Sequence, residues 1–435
     1  MNIFYDLIFL LFAVFYLPAF LFRRKSRAGF FMRLGFLPKF PELNRPIWIH
    51  AVSVGEAMAV KHLREELKER FPQKKFVIST VTATGNKIAR NIAGEKDLVL
   101  YLPLDFSWIV RGVISKVNPS LFVIAETEIW PNLISCLYEK KIPIVLVNAR
   151  ISDRSFGKYL LAKSLLKPLL NKVSVFCAQT QVDVERLLKL GALPDKVVRT
   201  GNMKFDIRVQ DYAALKKDYA DYRIKFGLGI KEKLFTAAST HPGEEEEILK
   251  AYLKVSGLFS DVRLLIAPRH PERSEAVEKL INKYGELKAY RISRLSRMDT
   301  VSNDARKKPV FILDTVGQLM YFYAISDIVF VGGSLVKKGG HNILEPASLG
   351  KPVIFGRYMF NFRDISELFL KNNAGIMVKD GVELEEKLRM LLGDKEKAFQ
   401  LGRAGRELIL ENQGAAVRNA ETIRMLLEKG KCGKI

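Results

Sequence analysis

Three cysteines stand in 435 residues: Cys136, Cys177 and Cys432. They are odd in number and far apart, so they frame neither a disulfide scaffold nor a thiolate metal site, and they point to a reducing compartment. The five histidines are as sparse, and none are paired at H-x-x-x-H spacing. The chain also lacks a D-x-D pair for a metal-bound nucleotide, a G-x-x-x-x-G-K-[ST] phosphate loop and a G-x-S-x-G nucleophile turn. Acidic residues are short as well: 47 Asp and Glu face 70 Lys and Arg, a formal net charge of +23. That excess implies an anionic partner, whether nucleic acid, phosphorylated ligand or acidic membrane.

What is present is the composition of a globular protein, 48% hydrophobic and 27% charged. The length suits two domains of roughly 200 residues each. One long apolar run exists, "IFYDLIFLLFAVFYLPAFLF" (3–22), interrupted by Asp6 and Pro18 and followed at once by "RRKSR". A cleaved signal peptide carries its charge before the apolar region and a small-residue site after it, the reverse of this order. The segment is therefore expected to be an uncleaved anchor, with the body of the protein on the cytoplasmic side. Whether it spans or lies in one leaflet stays open. The basic, aromatic stretch 23–36 beside it suits a membrane surface.

Beyond the anchor, apolar runs alternate with helical patterns. "IWIHAV" (47–52), "KFVIST" (75–80), "LVLYLP" (98–103), "LFVIAE" (121–126), "IPIVLVNA" (142–149), "VSVFCAQ" (173–179) and "VVRTG" (197–201) read as strands. Continuous apolar strands separated by helices predict a parallel sheet covered on both faces. The charged stretch 203–232 breaks the pattern, which restarts with "LFTAAS" (234–239), "VRLLIAP" (262–268), "PVFILD" (309–314), "DIVFVGG" (327–333), "KPVIFG" (351–356) and "AGIMV" (374–378). The fold class is α/β, two doubly wound domains in tandem. The expected division is an anchor (1–24), a first domain (25–205), a linker (206–232), a second domain (233–410) and a C-terminal helix (411–435) that packs back on the first domain. Ligands of such sheets bind beyond the carboxyl ends of the strands, here in a cleft between domains.

Several acids and bases fall at those strand ends. Glu56, in "HAVSVGE", opens a helix and is either a first-turn carboxylate favoured by the macrodipole or a proton acceptor. In "AETEIWPN" (125–132), Glu126 and Glu128 flank Thr127, which has helix-capping character except that Trp130 takes the place of the usual acid. Lys204, in "TGNMKFD" (200–206), is solvated surface or a partner for an anion. The second half offers "STHPGE" (239–244), "APRHPER" (267–273), "DTVGQL" (314–319) and "GGSLVKKGGHNILEPASLGKPV" (332–353). Gly339 and Gly340 suit a close backbone approach, a helix near Ile343 offers its N-terminus to an anion, and Asn342 and Glu345 have capping-box spacing. "EEEE" (244–247) reads as an exposed first helical turn. His270 suits a hydrogen-bonding or phosphate-site role better than metal ligation.

Taken in order, "HAVSVGE", "AETEIWPN", "NARISDRS", "TGNMKFD", "STHPGEE", "PRHPER", "VGGSLVKKGGHNILEPA" and "NQGA" (412–415) resemble the bacterial 3-deoxy-D-manno-octulosonic acid (Kdo) transferases, over roughly 1–425. The resemblance implies the GT-B architecture, two Rossmann-like domains facing a cleft. It implies inverting, metal-independent transfer of Kdo from CMP-Kdo to the lipid A precursor lipid IVA, with no cofactor, no metal and no nucleic-acid partner, at the cytoplasmic side of the inner membrane and its anionic surface. By motif, Glu56 matches the general base, and Glu126 and Lys204 match transition-state stabilisers. Pro268 and Arg269, then Gly317, Gln318 and Leu319, then Asn342, Ile343, Leu344 and Glu345 match CMP-binding positions. Gln318 departs from the family, which commonly has an acid there. Two rivals remain: a GT-B enzyme using a UDP-sugar, and a non-enzymatic protein binding anionic surfaces.

Overall fold

The computed structural model describes residues 5–7, 10–11, 28–40, 43–52, 54–207, 223, 228–229, 232–295 and 308–432. The chain divides into two compact units. One holds residues up to Asp206 together with Asn412 onward; the other runs from Ile207 to Glu411. Most of the expected anchor, and most of the expected linker, lie outside the described residues. Among the described residues no helix is long and apolar enough to cross a membrane.

The first unit is built on seven strands: β1 (Ile47–His50), β2 (Phe76–Thr80), β3 (Leu98–Tyr101), β4 (Leu121–Ala125), β5 (Ile144–Ala149), β6 (Val175–Ala178) and β7 (Val197–Arg199). All pair in parallel in the order β3-β2-β1-β4-β5-β6-β7. Every residue of β1, β2, β4 and β5 is buried, so their sequences read as unbroken apolar runs. Trp48 and Phe122 meet edge to face at 5.0 Å, and Trp48 Nε1 donates to Ser79 Oγ at 2.8 Å, which lets the indole be buried with its N–H paired.

The C-terminal helix Ala415–Cys432 belongs to this unit and packs on the helix Val54–Arg70 through Ala415, Ala416, Ala420 and Ile423. The first crossing between units caps it: the Asp206 carboxylate accepts the N–H groups of Gly414 (2.6 Å), Ala415 (3.2 Å) and Ala416 (2.6 Å). Three of the donors that a helix start leaves unpaired are thus satisfied by one side chain. "TGNMKFD" and "NQGA", far apart in sequence, form one joint.

The second unit repeats the plan with β8 (Lys233–Thr240), β9 (Val262–Pro268), β10 (Leu287–Arg291), β11 (Lys308–Ile312), β12 (Ile328–Val331), β13 (Val353–Gly356) and β14 (Ile376–Val378). Its order is β10-β11-β9-β8-β12-β13-β14, again all parallel. The sequence reading omits β10. Only its first residue is fully buried, and its "LKAYR" lacks the continuous apolar run of an inner strand. The order reverses between β1 and β4 in the first sheet and between β8 and β12 in the second, whose edge strand β10 also lies outside β11. Such a reversal opens a crevice at the carboxyl ends of the two strands.

Candidate active site

The reversal in the first unit collects the acids singled out from the sequence. The helix after β1 begins at Val54, and Glu56 lies in its first turn, 8% exposed. Its Oε2 accepts the Val52 N–H at 2.7 Å, so one carboxylate oxygen is fixed by the strand-to-helix turn itself. Glu126 follows β4 and is held at φ 58°, a left-handed conformation that costs a non-glycine residue energy and recurs at functional sites. Lys204 Nζ lies 3.0 Å from Glu126 Oε1. The lysine is thus not a solvated surface group but the counter-charge of the strained glutamate.

Glu128 completes the group. Burial, then the charges of Glu56 and Glu126, pushes its carboxyl up to about 7. Three carboxyls therefore share one field with one ammonium, and one of the acids keeps its proton near neutrality. Thr127 does not cap a helix. Its Oγ1 donates to Arg150 O and accepts the Arg150 N–H at 3.1 Å, which ties the "ETE" loop to the end of β5. The next helix starts only at Pro131, with Trp130 at its cap.

The Lys204 turn is positioned by two asparagines. Asn148 Oδ1 accepts the Met203 N–H (2.9 Å) and Asn202 Oδ1 accepts the Lys204 N–H (2.9 Å), which holds the short turn Met203–Phe205. Asn148 itself has φ 54° and is fully buried. Neither asparagine is singled out by the sequence as a site residue, although both lie in motifs of the family resemblance, "NARISDRS" and "TGNMKFD".

At the starts of two neighbouring helices of the first unit, Ser107–Val117 and Pro131–Glu139, Asp6 reaches out of the N-terminal apolar run. Its carboxylate accepts from Ser107 N–H (3.0 Å), Ser107 Oγ (2.5 Å) and Asn132 Nδ2 (2.7 Å). The polar interruption of that run is a docking contact onto "ETEIWPN".

In the second unit, Pro268 ends β9 and the Arg269 N–H donates to Thr240 O at 3.0 Å, which lays the arginine beside the end of β8. Asn342 Nδ2 donates to Glu345 Oε1 (3.1 Å), and its Oδ1 accepts the Leu344 N–H (3.1 Å). This is not the reciprocal capping box that the spacing suggested. The helix is only Leu344–Ser348, with Ile343 at its cap, and the asparagine takes the Leu344 N–H expected to serve an anion. Burial raises the Glu345 carboxyl, while Asn342 and the Arg269 charge act against the rise. Gly317 has φ 89°, and Gln318 Oε1 accepts from Thr315 Oγ1 at 2.7 Å, just before the helix Leu319–Ile325. Tyr323 of that helix feels the Glu345 charge, which sets the turn's helix next to Asn342–Glu345.

Two readings of this region need correction. Gly340 does not offer its amide to a ligand, since its N–H donates to Gly333 O at 2.8 Å. Its φ of 72° and that of Gly339, 97°, serve packing, because a Cβ would lie 2.2 Å from Met359 Sδ and from Asn361 Nδ2 respectively. Nor is "EEEE" an exposed turn: Glu244 and Glu245 are buried. The Glu244 carboxylate accepts the N–H groups of His241 (2.9 Å), Gly333 (2.7 Å), Ser334 (2.9 Å) and Leu335 (2.9 Å), while Glu245 pairs with Arg273 at 2.7 Å. Four backbone donors around one carboxylate repay its burial. Among the described residues no three His, Cys, Asp or Glu side chains form a metal-ligand set.

Two parallel α/β units with their charged residues at the carboxyl ends of the strands define the GT-B type of glycosyltransferase fold. A solved UDP-GlcNAc 2-epimerase from Neisseria meningitidis shares that fold, with a TM-score of 0.59, 14% identity, and coverage of 88% of this chain and 100% of its own. A model of the family described as 3-deoxy-D-manno-octulosonic-acid transferase (kdotransferase) matches residues 28–207. A 3-deoxy-D-manno-octulosonic acid transferase of Haemophilus influenzae is 36% identical, over 88% of this chain and 87% of its own. Its counterpart in Chlamydophila psittaci is 29% identical, over 94% and 92%. The chain belongs to the 3-deoxy-D-manno-octulosonic acid transferase family and is a glycosyltransferase.

Proposed function

We propose that the protein transfers Kdo from CMP-Kdo to lipid IVA, with inversion and without a metal, in lipopolysaccharide assembly. The observation that carries the reading is the Glu126–Lys204 pair at 3.0 Å beside Glu56 and Glu128, at the strand-order reversal of the first unit. Glu56 takes the proton of an acceptor hydroxyl, and the freed oxygen attacks the anomeric carbon of Kdo from the side opposite the departing CMP. The transition state carries positive charge on the sugar and growing negative charge on the phosphate. Glu126 supports the first; Lys204 offsets the second. Pro268–Arg269, Gly317–Leu319 and Asn342–Glu345 hold the nucleotide. Gln318 keeps an acceptor oxygen where the family commonly has an acid, so nucleotide binding survives with altered polarity. The lack of a D-x-D pair supports independence from metal.

The same reading puts the protein on the cytoplasmic face of the inner membrane, anchored through residues 1–24. Leu160, Leu161 and Leu165 are exposed, Leu161 at 90%, and alternate with the exposed Lys158, Lys163 and Lys167. Apolar side chains among lysines suit a surface of anionic lipid, where each cation adds about 1 kcal/mol. The deciding experiment gives the purified protein lipid IVA and CMP-Kdo with EDTA present and reads the products by mass spectrometry. A gain of one or more Kdo units is expected. Intact donor and acceptor beside folded protein would overturn the reading, and UDP-sugars would be tried in its place.

A further inference from the structure

The strand-order reversal of the second unit is occupied by two histidines. His241 follows β8 and His341 lies in the loop after β12, the two strands that flank the reversal. Their Nε2 atoms are 2.9 Å apart, and the rings lie edge to edge and nearly coplanar, with centroids at 5.2 Å and planes 8° apart. Two imidazole nitrogens this close share a single hydrogen, one ring donating and the other accepting. The pair can gain one further proton, on an Nδ1, and keep that bond. A second would bring two N–H groups head to head.

The surroundings are cationic. Arg269, His270 and Arg273 reach the pair from the end of β9 and the turn beyond it, and Lys338 from the loop that also carries His341. Glu245 is the acid facing His241, and Arg273 already neutralises it at 2.7 Å; Glu272 lies 3.8 Å from His270, and Glu345 shares the field of Arg269. The Glu244 carboxylate is spent on the backbone N–H groups of residues 333–335 and 241. Burial, then these cations, holds His341 at about 4 and draws His241 below its ordinary value. The closeness is built in: at Gly333 a Cβ would lie 2.8 Å from the His341 ring. An excess of positive charge at a strand-order reversal is where an anion binds, and an anion placed there opposes the electrostatics that keep the pair neutral.

We infer that His241 and His341 are the proton store of the donor site: the pair takes up one proton when the nucleotide phosphate binds and gives it to that phosphate as the sugar departs. The inference rests on the reading that the second unit binds CMP-Kdo. The balance is closed. The bond between the anomeric carbon and the phosphate oxygen breaks, with its electron pair going to the phosphate, while the acceptor oxygen forms the new bond to that carbon. The acceptor's proton goes to Glu56, and the imidazolium's proton goes to the phosphate oxygen that was released.

Calorimetric titration of the full chain with CMP, in buffers of different ionisation enthalpy, tests this at pH about 7.5, above the second phosphate ionisation near about 6. The observed heat should vary linearly with buffer enthalpy, with a slope that reports uptake of up to one proton. His341→Gln keeps a hydrogen-bonding group at the Nε2 position but does not titrate. It should abolish that slope while CMP still binds, lower kcat about 10²-fold or more, and remove the alkaline limb of the kcat profile. Equal heats in every buffer for the unaltered protein would overturn the proton store and leave the nucleotide reading standing. No binding of CMP at all would overturn both. The unaltered protein decides between these outcomes even if the variant fails to fold.

Discussion

Lys204 and Glu126 form an ion pair at 3.0 Å in which the acid is held in a left-handed backbone conformation and the base in a turn pinned by two asparagines. Neither group needs to find the other during the reaction, so the arrangement is preorganised. Lys204→Met is expected to lower kcat by about 10²–10³-fold. Because the two act as a unit, Glu126→Gln combined with Lys204→Met should cost little more than the worse single change. Steady-state kinetics of the three variants checks this, and strictly additive losses would show that the residues act separately.

Glu56→Gln removes a proton acceptor but keeps an oxygen for the Val52 N–H. The expected result is a fall in kcat of about 10²–10⁴-fold, with donor KM and melting temperature nearly unchanged. Full activity in this variant would remove Glu56 from the role of base.

Glu128 makes stability depend on pH. Its carboxyl titrates at about 7 in the fold against an ordinary 4.5. Between those values the folded chain holds a proton that the unfolded chain has released, so unfolding becomes easier as pH rises through this window. The contribution is complete below about 4.5 and lost above about 7. Glu128→Gln, uncharged throughout, should therefore melt higher than the unaltered protein above pH 7, with the difference shrinking towards pH 4.5. A difference that does not change with pH would show that Glu128 is ionised in both states.

Glu244→Ala strands four backbone donors inside the second unit. At roughly 1–3 kcal/mol for each donor that finds no water, a loss of about 3–5 kcal/mol is expected in chemical denaturation. Glu244→Gln, with one acceptor oxygen for four donors, should fall between.

Leu161→Glu together with Leu165→Glu should weaken sedimentation with anionic lipid vesicles without changing turnover of detergent-dispersed acceptor. Unaltered sedimentation would move the membrane contact elsewhere.

Much of this was legible in the sequence because buried parallel strands are unbroken apolar runs. Thirteen of the fourteen strands stand on the apolar runs picked out in the sequence. The exception, β10, has one apolar side chain fully buried and so no run to read. Glu56, Glu126 and Lys204 were legible by position at strand ends, but their grouping was not, since it depends on which strands are neighbours. Long-range partners misled the reading most. "EEEE" has the look of a solvated helix start, and nothing local shows that Glu244 is to receive amides from 333–335. His241 and His341, one hundred residues apart, escape any search by spacing for the same reason.

The return of the C-terminal helix to the first unit has a practical meaning for anyone cutting this protein into pieces. Residues 207–411 form a continuous stretch of chain and can be excised as one fragment. Residues up to Asp206 cannot be handled in that way, since on their own they lose the cover over Val60, Leu63 and Leu67 and the helix start that the Asp206 carboxylate caps. A soluble first unit therefore calls for a spliced design, with a short linker replacing 207–411 and the helix Ala415–Cys432 retained.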